Sequence, residues 1–383
     1  RPEPGAGSAE PTLFGARLTV GASGRRLVLA RPMRVVLLAW RDLAHPQGGG
    51  SEVVVDRLAQ GLHDRGHEIT LLAGGPLGPH DYRARAIGGT YSQYLGAPIR
   101  FHLDRLRPDV VVDVENGIPF FSPLWQRSPV VCLVHHIHTE QWAMQFPAPI
   151  AAVGRWLERS AMPRVYRRAE FVAVSASTAA GVAELGVPRD RITTIEMGLQ
   201  PVETSGSASP TPRFLILGRL VPHKRVDLAL RLWPKVRAAT GGDLVIVGDG
   251  PEMDALRPLA GPGVVFTGAV DEARKGAELG AAWLLVHPAH HEGWGTVVME
   301  AAHAGVPTVA FDVPGVRDSV VDGSTGVLAA DEDAFVDAWI RLATDDALRT
   351  RMADAARVRA RSFTWDRAVD EFESVLERAR SSR

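Results

Sequence analysis

The sequence predicts an α/β protein with two doubly wound, Rossmann-like domains that face each other across a cleft. Three observations predict it. Short, continuously apolar segments alternate with helix-length gaps, a Ser/Pro-rich stretch interrupts the series, and the alternation restarts directly afterwards. Continuously apolar strands are typical of sheets covered on both faces, and their alternation with helices is typical of parallel pairing. The length of 383 residues suits two or three domains.

The first domain is predicted over residues 33–202. It follows residues 1–32, which show no sustained periodicity and which we interpret as a disordered or over-long start, with a small structured cap as the alternative. The first strand is followed by a glycine-rich loop and by a helix with apolar residues at helical spacing. The predicted strands are 33–39, 68–73, 110–114, 130–134, 171–174 and 192–195.

Residues 203–212 are rich in Ser, Pro and Gly and have no apolar face, which predicts a flexible linker. The second domain is predicted over residues 213–362, and residues 363–383 form a last helix that we expect to pack back toward the first domain. Open α/β sheets bind ligands beyond the carboxyl ends of their strands, so the cleft is the expected site. The predicted strands of this domain are 214–217, 244–247, 264–267, 283–287 and 308–311.

The composition excludes several classes of protein. The 43 Lys and Arg residues nearly balance the 44 Asp and Glu residues, so no general field would recruit nucleic acid. The single cysteine, Cys132, rules out an internal disulfide and a multi-cysteine metal site, favours a reducing compartment, and is expected to be a small buried hydrophobe. The longest apolar runs are strand-sized, so no membrane span is predicted.

Two carboxylates, Glu292 and Glu300, bracket the most informative stretch of the chain. Gly293 and Gly295 allow a tight turn into a helix predicted over residues 296–304, with Glu292 before its start and Glu300 just over one turn inside it. Unpaired amides at such a helix start can hold a phosphate. One carboxylate can then meet a reacting sugar, while the other accepts hydrogen bonds from a ribose. The alternative is a glycine turn with two solvated glutamates.

Cations follow an earlier strand of the same domain. Arg219 and Lys224 come directly after the strand that ends at Gly218. They suit a diphosphate leaving group, whose negative charge grows as the bond to it breaks, and the alternative is an exposed basic loop. A second glycine turn, at residues 248–252, lacks the G-x-G-x-x-G spacing, so a dehydrogenase is poorly supported.

In this order, the segments resemble the retaining glycosyltransferases of the GT-B fold, specifically family GT4, from roughly residue 33 to residue 380. The most specific element is the E-x7-E pattern of Glu292 and Glu300, followed by Ala-Ala-His-Ala-Gly-Val-Pro. Residues 218–224 are similar to the family's diphosphate-binding motif. Residues 248–252 are similar to its second-domain turn, and Gly48, Gly49 and Gly50 to the glycine-rich loop after the first strand.

The resemblance implies transfer of a sugar from a nucleotide donor with retained configuration, without a catalytic metal or any cofactor. It implies a front-face mechanism, in which the leaving phosphate helps to deprotonate the acceptor and no nucleophilic carboxylate is required. Arg219 and Lys224 would neutralise the diphosphate, Glu300 would bind the ribose and Glu292 would contact the donor sugar. The implied donor-binding set is Gly49, Gly50, Arg219, Lys224, Gly268, Val270, Gly293, Trp294, Gly295, Thr296 and Glu300.

Three departures from the family pattern weaken any donor assignment. Glu196-Met-Gly198 stands where Pro-Asn-Gly is frequent, Asp318 replaces a common glutamate, and Trp294 replaces a frequent phenylalanine. None of these three departures removes an expected catalytic group. The resemblance also implies that the base of the nucleotide lies against the backbone of residues 266–270.

Three histidines, His135, His136 and His138, follow a first-domain strand. The resemblance implies that a histidine here contacts the donor sugar. We favour His135 and His136, which are nearest the strand end, and strand alternation would aim only one of the two at the cleft. The alternatives are ordinary polar residues at a strand end and, with Glu140, a metal site. We expect no metal.

Residues 155–168 carry five arginines beside apolar and aromatic residues, which suits peripheral contact with anionic lipid. The alternative is a solvated helix face, since Pro163 would interrupt a long amphipathic helix.

The expected function is a cytoplasmic glycosyltransferase of cell-envelope or glycan biosynthesis. It would use a UDP- or GDP-type sugar and a glycan, lipid-linked or small-molecule acceptor. An epimerase of the same architecture, acting on nucleotide sugars, and a non-catalytic sugar- or partner-binding protein are the alternatives; the oligomeric state is left open.

Overall fold

The computed structural model describes residues 31–46, 48–89 and 91–382. The predicted first segment, residues 1–32, therefore lies outside the described residues except for its last two positions. Each half of the described chain contains one sheet, and every strand pair recorded within these two sheets is parallel. Helices cover both faces of each sheet, so the predicted fold class, two Rossmann-like α/β domains, is confirmed.

The first domain has a seven-stranded sheet of order β3-β2-β1-β4-β5-β6-β7. Its central strands are apolar along their whole length, because both faces are buried. A π-helical turn, Leu157–Ala161, joins two of its helices. The elements are β1 Arg34–Ala39, α1 Gly50–Asp64, β2 Glu68–Ala73, β3 Arg83–Ala86, α2 Gln93–Leu103, β4 Val110–Glu115, β5 Val130–Val134, α3 Gln141–Gln145, α4 Ala148–Trp156, α5 Met162–Val165, β6 Glu170–Ala173, α6 Ala176–Glu184 and β7 Ile192–Thr194.

The second domain has a six-stranded sheet of order β10-β9-β8-β11-β12-β13. Its largest buried side chains, Trp233, Trp339 and Phe335, pack together on one face of the sheet. The elements are β8 Arg213–Leu217, α7 Val226–Thr240, β9 Asp243–Val247, α8 Met253–Leu256, β10 Val264–Gly268, α9 Glu272–Ala281, β11 Leu284–His287, α10 Thr296–Ala304, β12 Thr308–Phe311, α11 Val316–Ser319, β13 Gly326–Ala329, α12 Glu332–Thr344, α13 Asp346–Ala360 and α14 Trp365–Ser381.

The last helix, α14, crosses back to the first domain and packs against α1. Val369, Phe372 and Leu376 are buried in the same apolar core as β1, β2 and β4. Burying this stripe removes apolar area from water, at roughly 25 cal/mol per Å². The helix therefore couples the stability of the two domains.

The linker, residues 203–212, contains no helix or strand in the structure. It runs along α9, where Gly276 and Gly280 leave room for it. A Cβ on Gly276 would lie 2.0 Å from the carbonyl oxygen of Glu203. The side chain of Trp283 donates to the carbonyl oxygen of Ser209 at 2.8 Å. Its Ser/Pro composition predicts flexibility, whereas the structure packs this segment against a helix.

Candidate active site

The cleft lies where the strand order of both sheets reverses. In the first sheet this point is between β1 and β4, and in the second it is between β8 and β11. Loops that leave neighbouring parallel strands in opposite directions open a crevice at their carboxyl ends. The glycine loop follows β1, the Arg219–Lys224 loop follows β8, and Glu292 follows β11. The fold therefore brings the predicted donor-site segments of both domains to the same cleft.

Glu292 lies in a compact charged cluster. Its Oε1 atom pairs with the ammonium of Lys224 and lies 3.0 Å from Nε2 of His287, at the end of β11. Burial alone would raise the pKa of Glu292, but the Lys224 ammonium and the His287 ring outweigh it and hold that pKa well below its ordinary value. Burial lowers the pKa of His287. The site thus holds an ionised carboxylate beside a cation.

The turn after Glu292 is built from close backbone approaches. A Cβ on Gly315 would lie 2.1 Å from the carbonyl oxygen of Glu292, and Gly315 has φ +80°. Gly295 precedes α10 with φ +76°, a conformation that favours glycine. Helix α10 begins at Thr296, as the sequence predicts, and no side chain caps its first amides. These amides are available to an anionic group, which the dipole of α10 would favour.

Glu300, inside α10, pairs with a residue that the sequence does not single out. Lys275 of α9 places its Nζ 2.9 Å from Oε1 of Glu300 and 2.7 Å from Oε2 of Glu272. Burial raises the pKa of Glu300, and Lys275 opposes that rise. Sequence reasoning misses Lys275 because it lies 25 positions from Glu300, without a motif that connects them.

Direct contacts across the cleft hold the two domains together at the site. A Cβ on Gly293 would lie 2.6 Å from the carbonyl oxygen of His135, and one on Gly50 would lie 3.5 Å from Oγ1 of Thr296. Asp318 accepts a hydrogen bond from the backbone amide of Ser177, at the start of α6, at 3.0 Å. Asp318 is thus an interdomain contact.

The glycine loop is held in place by Glu52, a residue absent from the predicted site. Its Oε2 atom accepts the backbone amide of Gly49 at 2.8 Å and the hydroxyl of Ser51 at 2.9 Å, while Oε1 lies 3.4 Å from Nε of Arg41. Partial burial and the charge of Arg41 lower the pKa of Arg219, whereas Glu52 raises it. Cations from both domains therefore share one electrostatic environment at the mouth of the cleft.

The three histidines that follow β5, His135, His136 and His138, differ in their surroundings. His135 is 6% exposed, and burial lowers its pKa to about 4, with the charge of Glu52 opposing the shift. The centroids of the His136 and His138 rings lie 3.8 Å apart with the ring planes tilted by 32°, and the ring of His291 from the second domain lies 5.4 Å from His136. Burial lowers the pKa of His136. At neutral pH these imidazoles are neutral, so they can both donate and accept hydrogen bonds.

Three residues of the predicted donor set, Gly268, Val270 and Trp294, make contacts with other parts of the fold. Gly268 ends β10 and accepts the backbone amide of Gly248 at 2.9 Å, and the side chain of Val270 packs against an apolar core cluster. The Trp294 side chain is buried in the first-domain core, with its ring 5.3 Å from Phe363. The backbone of Trp294 is therefore the part of this residue that remains to meet a ligand.

Comparison with known proteins defines the class. Residues 48–202 match the family described as Glycosyltransferase Family 4, and residues 211–345 match Glycosyl transferases group 1. The two matches follow the two sheets. The chain therefore belongs to the GT4-type glycosyltransferases of the GT-B fold, and the resemblance that the motifs indicate is confirmed.

The individual proteins that resemble this chain differ in name and in how much of the chain they match. A glycogen synthase of Mycobacterium tuberculosis is 34% identical over 48% of this chain and 46% of its own length, so this chain spans about half of that relative. A GDP-mannose-dependent alpha-mannosyltransferase of Mycobacterium tuberculosis is 29% identical over 92% of this chain and 98% of its own. The structure of sucrose-phosphate synthase from Thermosynechococcus elongatus superposes with a TM-score of 0.77. That match has 16% identity over 91% of this chain and all of the other, which shows the shared fold.

A membrane-crossing helix is also absent from the described part of the chain. None of its helices combines the length and the hydropathy that crossing a bilayer requires.

Proposed function

We propose that this chain is a retaining glycosyltransferase that moves a sugar from a nucleoside-diphosphate donor to a glycan, lipid-linked or small-molecule acceptor. The observation that carries the proposal is the Lys224–Glu292 pair, held in the cleft at the switch point of the second sheet. A cation and an ionised carboxylate side by side can bind a diphosphate and a sugar hydroxyl at once. The full-length match to a protein named for GDP-mannose supports a GDP-sugar as the first donor to test.

The roles of the residues follow from charge and position. Lys224 and Arg219 supply positive charge where the leaving diphosphate accumulates negative charge, which is the largest class of catalytic stabilisation. The uncapped amides at the start of α10 add donors for the same group. Glu292, released by Lys224 when the diphosphate binds, accepts hydrogen bonds from the donor sugar. Glu300, beside Lys275, accepts them from the ribose.

Transfer with retention proceeds in this proposal on one face of the sugar. The leaving phosphate oxygen, stabilised by the cations, takes the proton of the acceptor hydroxyl as the new glycosidic bond forms and the old bond to phosphate breaks. His135 and His136 supply neutral hydrogen-bonding groups at the first-domain wall of the site. No metal ion is required for charge stabilisation, because the side-chain cations and the amides of α10 provide it.

The test is a donor and acceptor screen with matched variants. Purified protein is incubated with GDP-mannose, GDP-glucose, UDP-glucose and UDP-N-acetylglucosamine, and released GDP or UDP and new glycosides are measured. We expect turnover with one nucleotide class, reduced at least about 100-fold in Glu292→Gln and Lys224→Ala. Lys235→Ala, an exposed lysine of α7, is the control and should retain activity.

The same experiment separates the alternatives. An epimerase would convert the donor sugar without any acceptor, so its product would appear in the donor-only sample as a second nucleotide sugar. A non-catalytic binding protein would show thermal stabilisation by a nucleotide but no turnover. Binding of no nucleotide at all would contradict the donor site itself.

We also propose that residues 155–168, the arginine-rich segment, contact the cytoplasmic face of an anionic membrane. Ile150, Val153 and Trp156 on α4 are more than half exposed, at 53%, 57% and 60%; the first two lie just before residues 155–168 and Trp156 lies within them. Apolar residues beside arginines suit the boundary between headgroups and acyl chains. Vesicles with 30% phosphatidylglycerol should co-sediment the protein, and Trp156→Ser should weaken this binding. Equal binding to purely zwitterionic vesicles would refute the electrostatic part.

A further inference from the structure

A second cluster of chemically active side chains lies outside the donor site, inside the first domain. Glu115 is the last residue of β4, His138 lies in the loop after β5, and Glu158 lies in the π-helical turn. One side-chain ligand atom from each lies within 4.8 Å of the other two. Three segments that are distant in sequence therefore converge here. None of the three residues has a role in the proposed sugar transfer.

The cluster has open ligand positions. Glu115 is fully buried, and its Oε1 atom accepts the amide of Gly117 at 2.7 Å. Its Oε2 atom and Nδ1 of His138 have no hydrogen-bond partner among the described residues. A buried carboxylate oxygen and a buried imidazole nitrogen without partners are costly to leave in a folded protein. Both are also ligands that divalent transition metals bind.

The two carboxyl groups of the cluster also form no ion pair with a basic side chain of the described residues. Glu158 is fully buried, and its two oxygens accept the amide of His138 at 2.5 Å and the hydroxyl of Thr139 at 2.9 Å. Within the described residues, neither Glu158 nor Glu115 forms an ion pair with a lysine or arginine. A divalent cation would supply a counter-charge to two carboxylates that are buried side by side.

The local backbone also indicates a site. The π-helical turn Leu157–Ala161 interrupts a run of α-helix and carries Glu158. Such turns are rare, replace the regular α-helical hydrogen bonds and occur frequently at functional sites. Here the π-turn is the segment that supplies Glu158 to the cluster.

We propose that Glu115, His138 and Glu158 bind a divalent transition metal ion, with Zn²⁺ as the first candidate. Three protein ligands of the nitrogen and oxygen type leave one position of a tetrahedral zinc site for water. The metal would tie the loop after β5 and the π-turn to the end of β4. Since the ring of His136 lies against His138, the metal would also fix the histidine wall of the cleft. The ion's proposed role is to hold these segments together, and the proposal does not depend on the sugar-transfer chemistry.

The metal content and stability of the full chain test this proposal. Protein produced with added zinc and purified without chelator is analysed by inductively coupled plasma mass spectrometry. It is then stripped with a strong chelator and titrated with Zn²⁺, Mn²⁺ or Mg²⁺. We expect one zinc per chain, and a rise in Tm of about 3 °C when Zn²⁺ exceeds its Kd about 100-fold. Mg²⁺ should give no comparable rise, because it prefers an octahedral shell of oxygens.

Variants locate the site. Glu158→Gln and His138→Gln should lose the zinc and the zinc-dependent rise in Tm, while Glu184→Gln, an exposed glutamate on α6, should keep both. If a variant fails to fold, the visible absorption of Co²⁺ bound to the stripped wild-type chain reports the nitrogen and oxygen ligands directly. A wild-type chain that carries no metal and gains no stability from any of the three ions overturns the proposal. Zinc that survives in Glu158→Gln and His138→Gln also overturns it.

Discussion

Replacing Lys224 by methionine tests the central feature of the site, the ion pair with Glu292. Methionine keeps most of the apolar stem and removes the ammonium, so Glu292 is left without its nearest cation. We expect the variant to fold with lower stability. We also expect the loss to depend on pH, because the ammonium is what holds the pKa of Glu292 below its ordinary value.

The magnitude follows from burial. The side chains of Lys224 and Glu292 are 18% and 13% exposed, between an exposed pair and a fully buried one. Breaking a fully buried pair by removing one partner costs about 3–5 kcal/mol, whereas an exposed pair contributes at most about 1 kcal/mol. We therefore expect Lys224→Met to lower the free energy of unfolding by about 2–3 kcal/mol at neutral pH.

The sign of the pH dependence is fixed by the pKa values of Glu292 in the folded and in the unfolded chain. In the wild type the lowered pKa of Glu292 stabilises the fold above the ordinary glutamate pKa, near about 4.3, and that stability is lost as the pH falls toward the folded-state value. Without Lys224, burial is less opposed and the pKa of Glu292 moves upward. The difference between wild type and variant is therefore largest at neutral pH and shrinks toward pH 4.

Urea unfolding, followed by tryptophan fluorescence between pH 4 and pH 8, measures the free energy of unfolding of wild type and variant at each pH. The control is Lys235→Met, whose ammonium lies 3.6 Å from Asp333 in an exposed pair and should change stability by less than about 1 kcal/mol. A double-mutant cycle with Glu292→Gln isolates the pairing itself. If Lys224→Met costs no more than the control and its effect is flat with pH, the paired arrangement is wrong.

Two further variants test other contacts of the cleft. Gly293→Ala places a Cβ 2.6 Å from the backbone carbonyl oxygen of His135, so we expect a lower Tm and weaker turnover as the domains are forced apart. Gly261→Ala, where the Cβ meets open space, should leave both unchanged. Lys275→Met removes the cation beside Glu300, so we expect Glu300 to take up a proton at higher pH. Titration calorimetry should then show nucleotide binding that is weakened near and below pH 7 and recovers as the pH rises; affinity equal to that of the wild type across this range would argue against a ribose role.

The motif-bearing part of the site follows from local sequence. Gly295 before the apolar residues of α10 predicts the helix start, and the structure begins that helix at Thr296. The eight-residue spacing of Glu292 and Glu300 places one carboxylate before the helix and the other inside it. Glycine, strand ends and helix starts are local properties, so a single sequence is sufficient to predict them.

Two strands are absent from those that the sequence predicts, because neither has a continuous apolar run. Strand β3, Arg83–Ala86, reads Arg-Ala-Arg-Ala and lies at a sheet edge, largely exposed. Strand β13, Gly326–Ala329, is short and begins with glycine at the opposite edge of the other sheet. Edge strands bury one side or less, so they lack the continuous apolar run that identifies central strands.

By itself, the sequence determined two parallel-sheet domains, a cleft between them and the family motif at its edge. Only the tertiary structure decided which charges meet there. It paired Glu300 with Lys275, placed His287 beside Glu292, held the glycine loop with Glu52, and gathered Glu115 and Glu158 around His138. Each of these pairings joins residues from separate elements. Their distances depend on how helices and strands pack, which periodicity and spacing along the chain do not encode.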